Sequence, residues 1–210
     1  ERPGHPELNV KTEYQSQDSL MKISITQTQD SEAFHFPLEI EFRFDGDIKP
    51  ITVTKFVDEK QQTLFIPVPV RPDMVRVDPR FSVLADIRED KSQDWWREQL
   101  RNGPTVPERL RAIEYFAKRT NDADRGLLQA TLEKDPFYGV RVEAAAALGK
   151  SAGDFSRDAL LSGLQQTHPK VRRACADALK TFYDDSTVAD VLAKKVQTGD
   201  ASYFVEAAVI

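Results

Sequence analysis

The feature that most limits how this chain can fold is a motif that returns at a nearly constant interval. Val140-Arg141 followed by Ala144-Ala145-Ala146-Ala147-Leu148 recurs 31 positions later as Val171-Arg172 followed by Cys175-Ala176-Asp177-Ala178-Leu179. A shift of 32 positions upstream lands on Arg109-Leu110-Arg111-Ala112-Ile113. Downstream, Val205-Glu206-Ala207-Ala208 repeats Val142-Glu143-Ala144-Ala145 letter for letter. A period of this size marks helix pairs that cannot bury their apolar faces alone and are stable only when stacked. It predicts first helices over about 107–119, 137–149, 169–183 and from 201, and second helices over about 123–133, 156–167 and 187–198. The second helices carry Leu128 and Leu132, then Leu160, Leu161 and Leu164, then Val191, Leu192 and Val196. Pro107, Pro136 and Pro169 stand where a helix start tolerates a missing N–H. Gly149 and Gly199 suit left-handed helix ends, and Ser186 suits an N-cap.

The preceding part follows a different period. Phe34, Phe36, Leu38, Ile40, Phe42 and Phe44 alternate with His35, Pro37, Glu39, Glu41 and Arg43, the pattern of a strand with one buried face. Met21, Ile23 and Ile25 alternate likewise, and Leu8 and Val10 begin a shorter strand. Asp45-Gly46-Asp47 marks a turn before a returning strand at Ile51 and Val53. Leu64, Ile66, Val68 and Val70 alternate with Phe65, Pro67 and Pro69, and the prolines place that strand at an edge or a bulge. Met74–Val77 reads as the final short strand. Six to seven antiparallel strands of this kind imply a small β-sandwich.

The fold class expected is therefore α+β by domains: an antiparallel β-sandwich over 1–90, a linker helix over 91–106 and an α-solenoid over 107–210. Ser92-Gln93-Asp94 opens the linker helix, which carries Trp95, Trp96 and Leu100. Adjacent tryptophans point to different sides of a helix, so one ring is expected against the sandwich and the other against the repeats, a domain joint; the alternative is an exposed aromatic pair that docks a ligand.

Charge and composition remove whole classes of function. The net charge is −5, with 11 Lys and Arg against 17 Asp and Glu in residues 1–90 and 18 against 17 in the rest. Neither part has the excess of cations that a phosphate-binding surface needs, so nucleic acid is not an expected partner. No apolar run approaches the roughly 20 residues that span a bilayer, so no membrane partner is expected. One cysteine, Cys175, excludes an internal disulfide framework, leaves the compartment open, and reads as a small core residue. His5, His35 and His168 lie far apart and none stands in an H-E-x-x-H frame, so no zinc site or other cofactor is expected within these residues. No nucleophile elbow, P-loop or dinucleotide fingerprint is present. The one set with a binding chemistry is Arg141, Lys170, Arg172 and Arg173. These residues either pair with acids of neighbouring repeats and hold the stack together, or form an anion or peptide-carboxylate site on the concave face, where a guanidinium fork gives bidentate contacts.

Pro136 … Val140-Arg141 … Ala144–Leu148-Gly149 resembles a short, alanine-rich HEAT repeat. The first part is similar to something narrower. Gly4-His5-Pro6 … Val10, Ile25-Thr26-Gln27-Thr28-Gln29, Phe36-Pro37-Leu38 and Val75-Arg76-Val77-Asp78-Pro79 … Leu84 occur in an order that resembles the β-sandwich following the catalytic domain of gluzincin zinc aminopeptidases, the aminopeptidase N family. In that family a helical domain of HEAT-like repeats comes next. The resemblance implies a parent enzyme that removes N-terminal residues from peptides with zinc-activated water. This chain would be a non-catalytic C-terminal part that shapes or closes the substrate cleft. Its partners would then be its own upstream catalytic domain and, through the parent, a peptide substrate, with zinc held upstream. The family's zinc ligands have no counterpart here, so no catalytic or metal position is carried over. The competing class is a non-enzymatic HEAT scaffold for protein–protein interaction; one transcription-initiation subunit has the same aminopeptidase-like modules without the chemistry. The chain begins at Glu1 without methionine and stops at Ile210 inside an apolar helical pattern, so it reads as a piece of a longer protein. Weak self-association through residues 200–210 is expected from that last helix.

Overall fold

The structure is a computed structural model that describes residues 4–210; Glu1, Arg2 and Pro3, which the reading of the N-terminus includes, lie outside the described residues. The chain divides into two compact units between Glu98 and Gln99.

The first unit is a sandwich of seven strands: β1 (Glu7–Gln15), β2 (Leu20–Gln27), β3 (Phe36–Arg43), β4 (Ile51–Val57), β5 (Gln61–Pro67), β6 (Met74–Val77) and β7 (Asp86–Asp90). One sheet has the order β5-β2-β1-β7 and the other β4-β3-β6. Alternation sets the registers. Leu8, Val10 and Thr12 of β1 lie opposite Gln27, Ile25 and Ile23 of β2, and all six are buried. From the other sheet Leu38, Ile40 and Phe42 meet them, with Val57, Val75 and Val77, in one core. Full burial of a side chain such as Phe42 contributes about 2–3 kcal/mol. The proline-bearing β5 is an edge strand, where a missing ladder donor costs least. Strand β7 is the departure from the sequence reading: it pairs parallel to β1, and it follows the strand expected to be last. Asp-Ile-Arg-Glu-Asp holds a single apolar residue, Ile87, so it carries no period-two signal; β1 supplies the pairing.

Helix α1 (Gln93–Asn102) spans the division, and the second unit continues as α2 (Val106–Ala117), α3 (Asp122–Lys134), α4 (Tyr138–Ser151), α5 (Asp154–Gly163), α6 (Pro169–Leu179), α7 (Ser186–Thr198) and α8 (Tyr203–Val209). A 3₁₀ turn, Lys180–Phe182, extends α6. Helices α2, α4, α6 and α8 pack on one another in series, and α3, α5 and α7 flank them. Phe116, Leu128, Leu132, Val140, Leu148, Leu160, Val171, Cys175 and Leu179 are all buried, at the positions the 31–32-residue period assigns to the core. Val196 is not: it is half exposed, because α7 is covered over much less of its surface than α3 or α5.

Three local expectations are corrected. Gly149 lies inside α4 with helical backbone; α4 ends instead at Ala152 (φ 49°) and Gly153 (φ 86°). Gly149 is required by packing, since a methyl there would sit 2.9 Å from Ala178 Cβ and 3.2 Å from its Cα. The N-cap of α7 is Asp185, whose carboxylate accepts the N–H groups of Thr187 and Val188, so Ser186 is already helical. Pro136 stands just outside α4, whose N-cap is Phe137. Gly199 does end α7 with positive φ.

Candidate functional site

Counting from each N-cap, five consecutive helices carry arginine at the fourth helical position: Arg109, Arg125, Arg141, Arg157 and Arg172. Two ladders result, one for the first helices and one for the second.

On the first-helix ladder each arginine reaches the loop that opens the next first helix. Arg109 donates through Nε and Nη2 to Asp135 (2.7 and 3.2 Å) and through Nη1 to the Gly103 carbonyl (2.8 Å). Arg172 does the same two periods later, with Asp200 at 2.9 and 2.6 Å and the carbonyls of Gln166 and Thr167 at 2.9 and 2.8 Å. Asp135 and Asp200 each stand two residues before an N-cap and accept its N–H, from Phe137 and Ser202. The fork-to-fork geometry is the strong form of an ion pair. Both aspartates are almost fully buried, 5% and 3% exposed. The hydrogen bonds from Arg172, with those of Lys195 and Ser202, hold the Asp200 carboxyl far below the usual carboxylate range although burial opposes this.

The middle rung differs. Two residues before the N-cap His168 stands Gln166, and Arg141 donates Nη1 to its Oε1 at 3.2 Å. The fork has no carboxylate, and Arg141 Nε is buried without a hydrogen-bond partner. His168, also with a buried Nδ1 lacking a partner, stacks on Tyr138 at 4.1 Å with the planes 4° apart. Lys170 lies over the other aromatic of this group, its Nζ 5.2 Å from the Tyr138 ring.

On the second-helix ladder, Arg125 donates to the Ser151 carbonyl (2.8 Å) and Arg157 to Asp185 (2.8 Å). Asp158 and then Asp185 hold the Arg157 guanidinium more firmly protonated than usual. The sequence reading missed this ladder. Its signal is the spacing of the five arginines, 16, 16, 16 and 15, which is half the repeat period.

The four basic residues singled out in the sequence are thus not one site. Arg172 has its fork filled by Asp200, which also pairs with Lys195. Arg173 pairs with Asp177 on its own helix at 3.5 Å and lies over Phe204. Arg141 meets Gln166, while Lys170 lies over Tyr138, which stacks on His168, two positions after Gln166.

Trp95 and Trp96 belong to the first unit and Leu100 to the second, and all three are buried. Trp95 enters the sandwich core, its indole N–H donating to the Pro72 carbonyl at 2.7 Å. The Lys91 ammonium lies 4.1 Å from the Trp96 ring centre. Leu100 borders a cavity of about 500 Å³ beside the first rung, with Leu127, Thr131 and Pro136. Burial pushes the Cys175 thiol up to about 12, which makes it a poor nucleophile. Among the described residues no group of three or more His, Cys, Asp or Glu is placed to hold a metal ion. None of their helices is long and apolar enough to cross a membrane.

The architecture to set beside known proteins is thus a β-sandwich followed by stacked helix pairs. Residues 125–210 match the family model for HEAT repeats. A stretch of 79 residues is 35% identical to the transcription initiation factor TFIID subunit 2 of Drosophila melanogaster, covering 37% of this chain and 6% of that protein. Among solved structures, aminopeptidase A of Legionella pneumophila, in complex with aspartic acid, aligns over 98% of this chain and 31% of its own, with a TM-score of 0.62 and 13% identity. The CpcE–CpcF complex of phycocyanin lyase from Nostoc aligns over 52% of this chain and 44% of its own, with a TM-score of 0.45 and 25% identity. The chain spans well under two thirds of the relatives it matches.

Proposed function

We propose that this chain is the non-catalytic sandwich-and-HEAT part of a zinc aminopeptidase of the gluzincin type, and that it shapes or closes the peptide cleft of a catalytic domain encoded ahead of it. The observation that carries this reading is the end-to-end alignment of both units with one third of an aminopeptidase. Stacked repeats suit such a role, because each touches only its neighbours and the array offers a long, shaped wall. The zinc and its ligands would belong to the upstream domain, and no step of the chemistry is assigned to the residues described here.

The test is to produce the chain joined to the polypeptide encoded before Glu1. Zinc content by elemental analysis and hydrolysis of aminoacyl reporters are then measured, with the 210-residue chain alone as control. One zinc per molecule and chelator-sensitive release of N-terminal residues are expected only in the longer protein. Substitutions in the helical unit should then shift kcat/KM for long peptides more than for dipeptide reporters. No zinc and no hydrolysis in the longer protein would overturn the enzyme reading. That outcome would favour a second one, a non-enzymatic scaffold, which the 35% identical stretch in the transcription initiation factor supports.

A further inference from the structure

The first-helix ladder has three rungs and only two carboxylates. Asp135 and Asp200 fill the Nε–Nη2 fork of Arg109 and Arg172. The equivalent loop position on the middle rung is Gln166, which accepts from Arg141 Nη1 and leaves the Nε–Nη2 edge without a protein acceptor. A guanidinium carries its charge at every accessible pH, so the middle rung holds one uncompensated cation in a half-buried setting, where attraction to an anion is stronger than in water. At the starts of α4 and α6, Phe137, Thr167 and Lys170 are exposed, while the Arg141 Nε itself is buried behind Gln166. At the same two helix starts Tyr138 stacks on His168, with Lys170 adding a second positive charge above the tyrosine. The acid nearest in sequence, Glu143, is two residues along the helix from Arg141, a spacing at which side chains do not face each other.

We propose that the middle rung, Arg141 with Gln166, Tyr138, His168 and Lys170, is a carboxylate-binding site for an acidic residue or a chain terminus of a peptide partner. With the Gln166 amide swung aside, the incoming carboxylate takes the fork that Asp135 and Asp200 take on the adjacent rungs, and Lys170 stabilises it from the loop edge. The aromatic pair supplies a surface for the neighbouring part of the peptide. This assignment does not depend on the aminopeptidase reading, since it concerns a site within the repeats whatever lies upstream.

The decisive variant is Gln166→Asp, which supplies the missing carboxylate from within and keeps Arg141. Two acetylated tripeptides serve as probes, one with a central glutamate and an amidated end, the other with glutamine and a free C-terminal carboxylate. Binding to the 210-residue chain is followed by the NMR shift of the His168 imidazole, and thermal melting is measured alongside. Saturable binding of at least one probe is expected with Kd on the order of 1 mM, and the better probe identifies the source of the carboxylate. Gln166→Asp should raise Tm and weaken binding by roughly tenfold or more, equivalent to ~1.4 kcal/mol. Lys49→Ala, at an exposed lysine of the first unit, changes the net charge by the same amount and should weaken it by less than about threefold. Equal weakening by the two variants would reduce the effect to general attraction and overturn the proposal. So would an unchanged or lowered Tm in Gln166→Asp, or no saturable shift with either probe up to about 10 mM.

Discussion

Two glycines inside helices should respond to the same substitution with opposite sign. Gly126 in α3 and Gly149 in α4 both have ordinary helical backbone, and replacing a mid-helix glycine by alanine stabilises by about 0.5–1 kcal/mol when nothing else changes. At Gly126 the new methyl meets only the tip of the Phe155 ring at 3.9 Å, an ordinary contact, so the full gain is expected. At Gly149 it meets Ala178 Cβ at 2.9 Å, Cα at 3.2 Å and the carbonyl oxygen at 3.3 Å. Two of those three are backbone of α6, so no rotamer change relieves them and the helices must separate. Overpacking of this kind costs about 1–3 kcal/mol, which exceeds the propensity gain at most of its range. Urea unfolding should therefore give Gly126→Ala a higher midpoint and Gly149→Ala a lower one, at unchanged slope. Ala178→Gly in the Gly149→Ala background should recover part of the loss, since it removes the closest atom and leaves the backbone. A stabilising Gly149→Ala would refute the claim that α4 and α6 touch through this glycine.

Further expectations concern side chains already placed. Trp95→Ala should cost about 3–5 kcal/mol in chemical denaturation, since the ring fills the sandwich core; a loss under about 1 kcal/mol would contradict that packing. Asp200 has a carboxyl held far below its unfolded value, so its contribution is fully present above the unfolded pKa near ~3.9 and is lost as pH falls through that value toward the folded one. Asp200→Asn should accordingly flatten the fall of stability between about pH 5 and pH 2; an identical pH slope in the variant would show that the pair with Arg172 is not coupled to folding. Cys175, buried with its thiol at about 12, should react with a thiol reagent at pH 8 only as fast as the helical unit opens, and rapid labelling of the native chain would contradict its burial. Tyr203, Phe204 and Ile210 are exposed on and beside α8, and weak self-association is expected by light scattering at submillimolar concentration; Tyr203→Ser with Phe204→Ser should reduce it, and a strict monomer throughout would refute it.

The sequence by itself determined the two periods and, with them, the two kinds of structure. Alternation at period two from Phe36 to Phe42 dictates a strand with one buried face, because successive side chains leave opposite sides of the backbone. The return of Val-Arg and the alanine run at 31–32 residues dictates stacked helix pairs, because one pair has too little apolar surface to fold alone. The half-period arginines carried a signal that the sequence reading missed: helices joined by short loops put the fourth helical position at a fixed spacing. What the tertiary structure decided is which of these residues have partners. Arg141 and Arg172 look alike in the sequence, yet one meets Gln166 and the other Asp200, residues 25 and 28 positions away that only the stacking of loops brings into reach. Strand β7 carries no pattern of its own and exists because β1 offers it an unpaired edge. Gly126 and Gly149 have the same local conformation, and only the approach of α6 distinguishes them. A period is a property of consecutive residues, whereas a contact depends on the distance between elements, and that distance is set by every side chain packed between them.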